Sequence, residues 1–305
     1  MGVIYSRKPQ LESPVLIACW PGIGNIGVIA VDTLRGTLQA EEFGQIEPWD
    51  FFYPKKVVIK NGVLEDMQFP ASRFYFARTQ SRDLIFFLGE EQPSEGGRTY
   101  ARGGKAYQMA NLVMDVAEEF GCSRVYTSGA AVAPIHHTVV PKVWAVPNSE
   151  SLLDDVLAYD NTVLMSDFQE RGGRGSITGL NGLLLGVARK RGIEAVCVMG
   201  EIPVYLQGLP FPYPKASRSV LDVLTAALGL EIETEGINAM VERSEREIER
   251  LYQLFPPQMR EQLEKLKYVS EAEPEESEPI TEEDKKKILE DIERFFKREP
   301  GEGES

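Results

Sequence analysis

Apolar residues follow two alternating patterns along the first 230 residues of this chain. Short, continuous apolar runs have the length of strands that are buried on both faces. Longer segments between them place apolar residues at the spacing of an amphipathic helix. The runs are residues 15–20, 83–89, 125–129 and 195–200, and the helical segments are residues 25–38, 100–120, 178–191 and 216–228. This alternation is typical of an α/β protein.

Further strands are predicted between these elements. Residues 69–79 alternate polar and apolar side chains, as a half-exposed strand does, and residues 41–46 and 143–146 are shorter candidates. Two strands on either side of Asn61-Gly62 form a predicted hairpin, because Asn-Gly is the strongest short hairpin signal. A hairpin beside strands of the parallel type predicts a mixed, mostly parallel sheet.

The chain after the α/β pattern is helical and then acidic. Residues 237–254 and 258–268 are amphipathic segments separated by Pro256-Pro257. Residues 270–279 are acidic and contain no apolar run, which indicates a disordered linker, and residues 282–298 can form one more helix. We expect an α/β body at 1–232, a helical extension at 233–268, and an acidic, partly disordered linker and terminal helix at 269–305.

Charge and composition narrow the classes of partner. The chain has a net charge of −14, and residues 231–305, with 23 acidic and 12 basic side chains, contribute −11 of it. This balance argues against a nucleic-acid backbone as partner. No apolar run approaches the length of a membrane span, and residues 1–10 lack the apolar core of a signal peptide. The cysteines lie far apart in or beside apolar runs, which predicts buried thiols and a cytoplasmic setting: Cys19, Cys122 and Cys197.

A glycine-rich loop follows the first apolar run. Residues 22–27 satisfy the pattern G-x-G-x-x-G, which in dinucleotide-binding proteins precedes an acidic residue about 20 positions on. In so acidic a chain, a glutamate at that distance is weak support for dinucleotide binding. In addition, Pro21 stands directly before the first glycine, where the strand of the dinucleotide motif normally runs into the turn. We therefore favour a tight packing loop and expect no cofactor. Its exposed amides remain candidates for an anion or carboxylate.

Candidate ligand-binding residues lie in this loop and in a second loop rich in glycine and arginine at residues 171–176. They are Gly22, Gly24, Asn25, Gly27 and Ser176. Four arginines in or beside the glycine–arginine segments are able to clamp a phosphate bidentately, or to attract an acidic partner or the chain's own acidic tail. They are Arg98, Arg102, Arg171 and Arg174.

Acid–base candidates follow the apolar strands. Glu90 and Glu201 would form a paired-carboxylate site if their strands were neighbours; the alternative is that each caps a helix or forms an ion pair with Arg98, Arg174 or Lys105. His136 is an acid–base candidate beside either glutamate, although a structural hydrogen bond is the more common role. His136 and His137 are the only histidines and lack ligand spacing, so we expect no metal site.

Three separated motifs resemble the proteasome assembly chaperone family, second-subunit type. The loop at residues 20–27 resembles the opening loop of that family, and residues 175–185 and 200–203 resemble its second-half signatures. The three motifs occur in order, and the resemblance spans residues 15–232. It implies a prokaryotic, ATP-independent member with a three-layer α/β/α body similar to the nucleoside phosphorylase/hydrolase-like fold.

The resemblance also implies partners. Members of the family associate with themselves or with a paralogue, and eukaryotic and archaeal relatives assemble or bind proteasomes. Some archaeal relatives dock through a C-terminal hydrophobic–Tyr–any-residue tail, whereas residues 303–305 here are Gly-Glu-Ser, so tail docking is not expected. The aromatic–proline loop at residues 48–54 is either a buried lid or an exposed contact surface. For a binding protein, residues 49–53 and 211–213 would supply the anchors.

The expected function is that of a homo-oligomeric binding or assembly-chaperone protein, since no complete catalytic set is evident. Proteasome subunits are candidate partners, and neither nucleic acid nor a membrane is expected. The alternative is an enzyme or small-molecule binder with a nucleoside- or phosphate-type ligand at the glycine-loop cleft.

Overall fold

A computed structural model describes residues 2–93, 103–164 and 175–269 of the chain. The strands are β1 (Val3–Tyr5), β2 (Val15–Cys19), β3 (Glu41–Ile46), β4 (Lys56–Lys60), β5 (Val63–Gln68), β6 (Ser72–Arg78), β7 (Asp83–Gly89), β8 (Arg124–Ala133), β9 (Val143–Pro147), β10 (Thr162–Leu164) and β11 (Glu194–Pro203). The helices are α1 (Ile26–Thr37), α2 (Gly104–Glu119), α3 (Leu153–Leu157), α4 (Gly179–Lys190), α5 (Pro214–Leu228), α6 (Glu235–Gln253), α7 (Pro257–Glu264) and α8 (Leu266–Val269).

Nine of these strands form one mixed sheet in the order β1-β3-β6-β7-β2-β8-β11-β9-β10. The central strands β7, β2, β8 and β11 run parallel to one another. On one side β6, β3 and β1 follow in antiparallel pairings, and on the other side β9 is antiparallel to β11 and parallel to β10. The predicted mixed sheet with parallel strands at its centre is confirmed.

The predicted hairpin is also confirmed, as β4 and β5, but it forms a separate two-stranded ribbon. The expectation that this hairpin makes the sheet mixed is therefore wrong. The antiparallel character comes instead from strands at the two flanks of the sheet, β1, β3, β6 and β9. The tight turn at Asn61-Gly62, with φ of 52° and 80°, pairs the two ribbon strands with each other.

Helices cover both faces of the sheet, as a three-layer α/β/α fold requires. Along β2, Ile17 and Cys19 belong to one apolar core, with side chains of α1 and α5. The alternating residues Leu16 and Ala18 belong to the other core, with side chains of α2 and α4. Because successive side chains of a strand point to opposite faces, a continuous apolar run fills both cores.

The C-terminal helices pack on the same core as α1 and α5. Ile248 and Tyr252 of α6, Leu263 of α7 and Leu266 of α8 are all buried there. The predicted helix at 237–254 is α6, and the predicted helix at 258–268 is divided into α7 and α8. The four predicted arginines, the acidic linker and the predicted terminal helix lie outside the described residues. Each helix within the described ranges is too short or too polar to span a lipid bilayer.

Candidate functional site

Two glycines of the glycine-rich loop allow α1 to pack closely on the sheet. A Cβ atom on Gly27 would lie 2.6 Å from the Cys19 sulfur and 2.7 Å from the carbonyl oxygen of Ser128. Gly24 has a left-handed φ of 61°, and a Cβ atom there would lie 3.1 Å from side-chain atoms of Ile202 and Tyr213. These two glycines therefore bring α1 and the segment before α5 against the strand ends.

Polar groups of the chain itself occupy part of the loop surface. The Tyr213 amide donates to the carbonyl oxygen of Gly24 at 2.8 Å. The side chain of Gln92 donates to the carbonyl oxygen of Pro21 at 2.6 Å and accepts from the Leu180 amide at 3.0 Å. Gln92 thus bridges the glycine loop and the N-terminus of α4, and it takes one of the helix amides that an anion would use.

The remaining candidate ligand-binding residues, Gly22, Asn25 and Ser176, lie in the segments that precede α1 and α4. The side chain of Asn25 is exposed, and it does not cap α1. Nothing lies within 4 Å of the position of a Cβ atom on Gly22, and Ser176, before α4, is exposed. Sequence reasoning missed Gln92, because a single glutamine after a strand gives no signal of which loops it will join.

Glu90 forms an exposed structural ion pair. One of its carboxylate oxygens accepts from the amide of Ala71 at 3.1 Å and from the Lys55 ammonium group at 3.0 Å. The hydrogen bond from the Ala71 amide lowers the pKa of this carboxyl group, and the hydrogen bond and positive charge of Lys55 lower it further. Lys55, 35 residues before Glu90 in the chain, was not among the partners predicted for this glutamate.

Glu201 is buried and holds β9 against β11. Its Oε2 accepts from the Lys142 amide at 2.8 Å, and its Oε1 accepts from the indole N–H of Trp144 at 2.9 Å. It lies within β11, whereas the sequence analysis placed it just past that strand. Two strands, β2 and β8, separate β11 from β7, which Glu90 follows. The condition for a paired-carboxylate site, that these two strands be neighbours, is therefore not met.

His136 and His137 follow β8 and are both buried. Their rings lie 4.1 Å apart. The Tyr205 hydroxyl accepts from the His137 amide at 2.8 Å and lies 2.7 Å from the Nδ1 atom of the same residue. The Nδ1 atom of His136 lies 2.8 Å from the Thr138 hydroxyl oxygen.

The C-terminal helices cover this histidine pair. The Tyr252 ring of α6 lies 5.2 Å from the ring of His136 and 4.9 Å from that of His137. Glu249 of α6 approaches the Nε2 atom of His137 at 3.3 Å, and the Tyr252 hydroxyl donates to Glu264 of α7 at 2.8 Å. The histidine pair thus joins β8 to the helical extension.

Burial keeps both imidazoles neutral at neutral pH. Desolvation by burial is the main cause that lowers the pKa of His136, and the neighbouring His137 is the second; the resulting pKa is about 4. Desolvation also lowers the pKa of His137, and the carboxylate of Glu249 opposes that effect. Within the described part of the chain, the Nε2 atom of His136 has no hydrogen-bond partner.

An open cleft of about 530 Å³ lies beside the histidine pair. It is lined by His137, Thr138, Lys215 and five charged residues of α6. Its charges are paired in part, since Lys215 and Glu245 are 2.9 Å apart. This groove lies between α6 and the body, and its lining does not include the candidate residues of the glycine loop.

The three cysteines are core side chains. All three thiols are free and buried, as expected. Burial raises the pKa of Cys122 to about 12 and that of Cys197 to about 11, so both stay protonated at neutral pH. In the described ranges, no group of three His, Cys, Asp or Glu side chains is placed to hold a metal ion.

The two aromatic–proline loops differ in exposure. In the loop at residues 48–54, Phe51 is buried, whereas Trp49 is 63% and Tyr53 93% exposed. In the loop at residues 211–214, Tyr213 is fully buried and Phe211 is half-buried. Tyr213 packs against Gly24 of the glycine-rich loop and belongs to the core. It is therefore not available as an anchor for a partner protein.

Comparison with known proteins identifies the family. The model of the PAC2 family matches residues 16–252. The uncharacterized protein MJ1210 of Methanocaldococcus jannaschii is 30% identical over 255 residues, which cover 81% of this chain and 88% of that protein.

Solved structures show the same fold. PbaB of Pyrococcus furiosus, described as an archaeal proteasome activator, has a TM-score of 0.67 and 25% identity over 82% of this chain and 97% of its own. PbaA of the same organism, described as an archaeal homolog of proteasome-assembly chaperone, has a TM-score of 0.60 and 20% identity over 88% and 99%. The Mycobacterium tuberculosis proteasome-assembly chaperone homologue Rv2125 has a TM-score of 0.59 and 22% identity over 77% and 94%. These findings confirm the resemblance noted in the sequence, and the chain belongs to the PAC2 family.

Proposed function

We propose that this protein is a homo-oligomeric, ATP-independent binding protein that assists the assembly of a proteasome-type complex. One observation carries the proposal: hydrogen bonds within the chain engage the acid–base candidates Glu90 and Glu201, while two large aromatic side chains face solvent. Glu201 and His137 serve internal contacts, and Trp49 and Tyr53 are exposed. Exposed Trp and Tyr are characteristic of protein-binding surfaces.

The printed descriptions of the relatives suggest the kind of partner. PbaB is described as a proteasome activator and PbaA as a homolog of a proteasome-assembly chaperone. We extend these descriptions to propose that this chain binds proteasome subunits. Buried, unoxidised thiols fit a reducing cytoplasmic setting, which forms part of the same proposal.

The test is a direct binding measurement with purified components. The chain is immobilised and exposed to an archaeal 20S core particle and, separately, to its unassembled α and β subunits, and binding is followed by interferometry. We expect binding to at least one of these forms. Absence of binding to all three at concentrations on the order of 50 μM, where even weak interfaces register, would contradict the proposal.

A matched pair of variants locates the contact. Replacing both Trp49 and Tyr53 by Ala should weaken binding by at least about tenfold, because such anchors dominate interface energies. Tyr107, on α2, is also exposed, and Tyr107→Ala is the control that should leave binding unchanged. Equal losses in the double variant and in the control would show that the anchors lie elsewhere.

A further inference from the structure

The dipeptide Asn-Gly occurs twice in this chain, at residues 61–62 and 181–182. Asparagine followed by glycine is chemically prone to lose its side-chain amide without an enzyme, because glycine places no side chain beside the reacting atoms. The two pairs have the same local chemistry, so the structure around each pair decides whether it reacts.

Asn61 and Gly62 form the exposed turn of the β4–β5 ribbon. Both residues are exposed, and their φ values of 52° and 80° are left-handed. A Cβ atom on Gly62 would meet no atom within 4 Å, so nothing packs on that side of the turn. In the described part of the chain, the Asn61 side chain makes no hydrogen bond.

The ribbon allows this turn to change its conformation at low cost. Within the described ranges, β4 and β5 pair only with each other. A two-stranded ribbon is marginally stable by itself in water. Opening of its turn therefore costs much less free energy than opening of the central sheet or of the helices on it. The peptide bond after Asn61 is free to rotate into the geometry that the reaction needs.

Asn181 and Gly182 are held in the core. Asn181 lies in α4 and is 7% exposed, and its Oδ1 atom accepts from the Trp20 amide at 3.3 Å. Its carbonyl oxygen accepts from the Thr127 hydroxyl at 3.2 Å. A Cβ atom on Gly182 would lie 2.6 Å from the side chain of Ile177, so the start of α4 is closely packed. Rotation of this peptide bond requires local unfolding of α4.

We propose that Asn61 is a site of spontaneous deamidation that gives mainly isoaspartate, and that the fold protects Asn181 from the same reaction. The main-chain nitrogen of Gly62 gives its proton to hydroxide and attacks the side-chain amide carbon of Asn61. A carbon–nitrogen bond forms, the bond from that carbon to the side-chain nitrogen breaks, and the nitrogen takes a proton from water and leaves as ammonia. Water then opens the resulting succinimide at either carbonyl group, which gives aspartate or isoaspartate.

Isoaspartate changes the ribbon in two ways. The main chain then runs through the former side-chain carbon, so the turn becomes longer. Because the turn sets the register of a hairpin, the pairing of Lys60 with Val63 is the first to be disturbed. The new carboxylate also adds a negative charge beside the ion pair of Lys60 and Glu65, whose charged atoms are 3.1 Å apart. The modified residue is the chemical group that isoaspartyl O-methyltransferases esterify.

The test is incubation of the full chain at mildly alkaline pH, folded and, separately, unfolded in urea. Cleavage after glutamate gives one fragment that ends at Glu65 and contains Asn61, and another that ends at Glu194 and contains Asn181. Mass spectrometry measures the replacement of the amide by an acid in each fragment. An isoaspartyl O-methyltransferase with labelled S-adenosylmethionine measures isoaspartate.

In the folded chain, Asn61 should react at least about tenfold faster than Asn181, because opening α4 costs far more free energy than opening the turn. In urea the two asparagines should react at similar rates. Asn61→Gly retains a residue suited to positive φ and removes the amide. This variant should abolish methylation of the fragment that ends at Glu65 and leave the other fragment unchanged, and circular dichroism establishes that it is folded.

Three outcomes would overturn the proposal. One is a folded chain in which Asn61 stays intact while the unfolded chain reacts. Another is equal rates at Asn61 and Asn181 in the folded chain. The third is aspartate without isoaspartate at residue 61, which would mean direct hydrolysis of the amide in place of the succinimide route. None of these readouts depends on binding to proteasome subunits, so the proposed function and the deamidation of Asn61 stand or fall separately.

Discussion

At the scale of single residues, Glu201 shows how a polar side chain at a strand end can serve the fold. Both carboxylate oxygens accept hydrogen bonds from the β9 region, one from the Lys142 amide and one from the Trp144 indole. A buried carboxylate of this kind anchors one strand to its neighbour.

Glu201→Gln should therefore destabilise the fold. The amide replaces one acceptor oxygen by a donor, so the Lys142 amide or the Trp144 indole loses its acceptor, at a cost of about 2 kcal/mol in the free energy of unfolding. Urea denaturation monitored by circular dichroism measures the change. Glu90→Gln is the matched control, and the loss of its exposed ion pair with Lys55 should cost under about 1 kcal/mol. Equal effects would show that burial does not distinguish the two glutamates.

His136 should make stability depend on pH. Its pKa in the folded chain, about 4, lies below the value of about 6.5 for a solvated imidazole. The unfolded state therefore binds the proton more tightly, and stability falls as pH drops from about 6.5 to about 4. The pKa values of Glu249 and Glu264 are themselves lowered, so these neighbours remain ionised over most of that window.

The expected loss from His136 between pH 7 and pH 4.5 is about 2 kcal/mol. His136→Phe retains an aromatic ring against His137 and Tyr252 but removes the titrating group, so its urea midpoint should change less over the same interval. Measurements at pH 7.0, 5.5 and 4.5 test this. An unchanged pH slope in the variant would assign the dependence to other groups.

At the scale of elements, α1 lies close to the sheet because one of its residues, Gly27, has no side chain. The G-x-G-x-x-G pattern that suggests a nucleotide loop places Gly27 where α1 touches both Cys19 of β2 and the backbone of β8. The third glycine of the pattern thus has a packing role, whatever ligand the loop takes.

Two glycines of α1 should respond oppositely to substitution. Gly27→Ala forces a methyl group against a carbonyl oxygen of β8 that cannot move aside, and overpacking of this kind costs about 1–3 kcal/mol. Gly36→Ala meets no atom within 4 Å and should stabilise the chain by about 0.5–1 kcal/mol through helix propensity. Thermal and urea unfolding of both variants measure these changes. Destabilisation by both would point to a general intolerance of side chains in α1.

At the scale of the whole molecule, α6, α7 and α8 complete the core. Their buried residues belong to the apolar cluster that also contains α1 and α5, and they cover the histidine pair. We propose that residues 2–269 unfold as one cooperative unit.

Two truncations test this unit. A chain ending at residue 269 retains the buried residues of α6, α7 and α8, so we expect it to keep the midpoint of unfolding. A chain ending at residue 232 loses the burial of at least four large apolar side chains, each worth about 1.5–3 kcal/mol, which is comparable to the total stability of a domain. We expect that shorter chain to aggregate or to lack a cooperative transition. A sharp transition near the original midpoint would show that the extension folds independently.

Local patterns in the sequence determined which segments form strands and helices. The continuous run before Pro21, the helical spacing after it and the Asn61-Gly62 turn each act between residues close in the chain, so they could be interpreted without coordinates. The motifs that indicated the family belong to the same local level.

The tertiary structure alone decided which distant groups meet. Strand order separated Glu90 from Glu201, Tyr252 covered the histidine pair, and Gln92 bridged two loops. A register shift between Val58 and Ile59 set which side chains of β4 and β5 share a face. These contacts depend on the order in which strands enter the sheet and on register shifts, and neither leaves a periodic mark in the sequence.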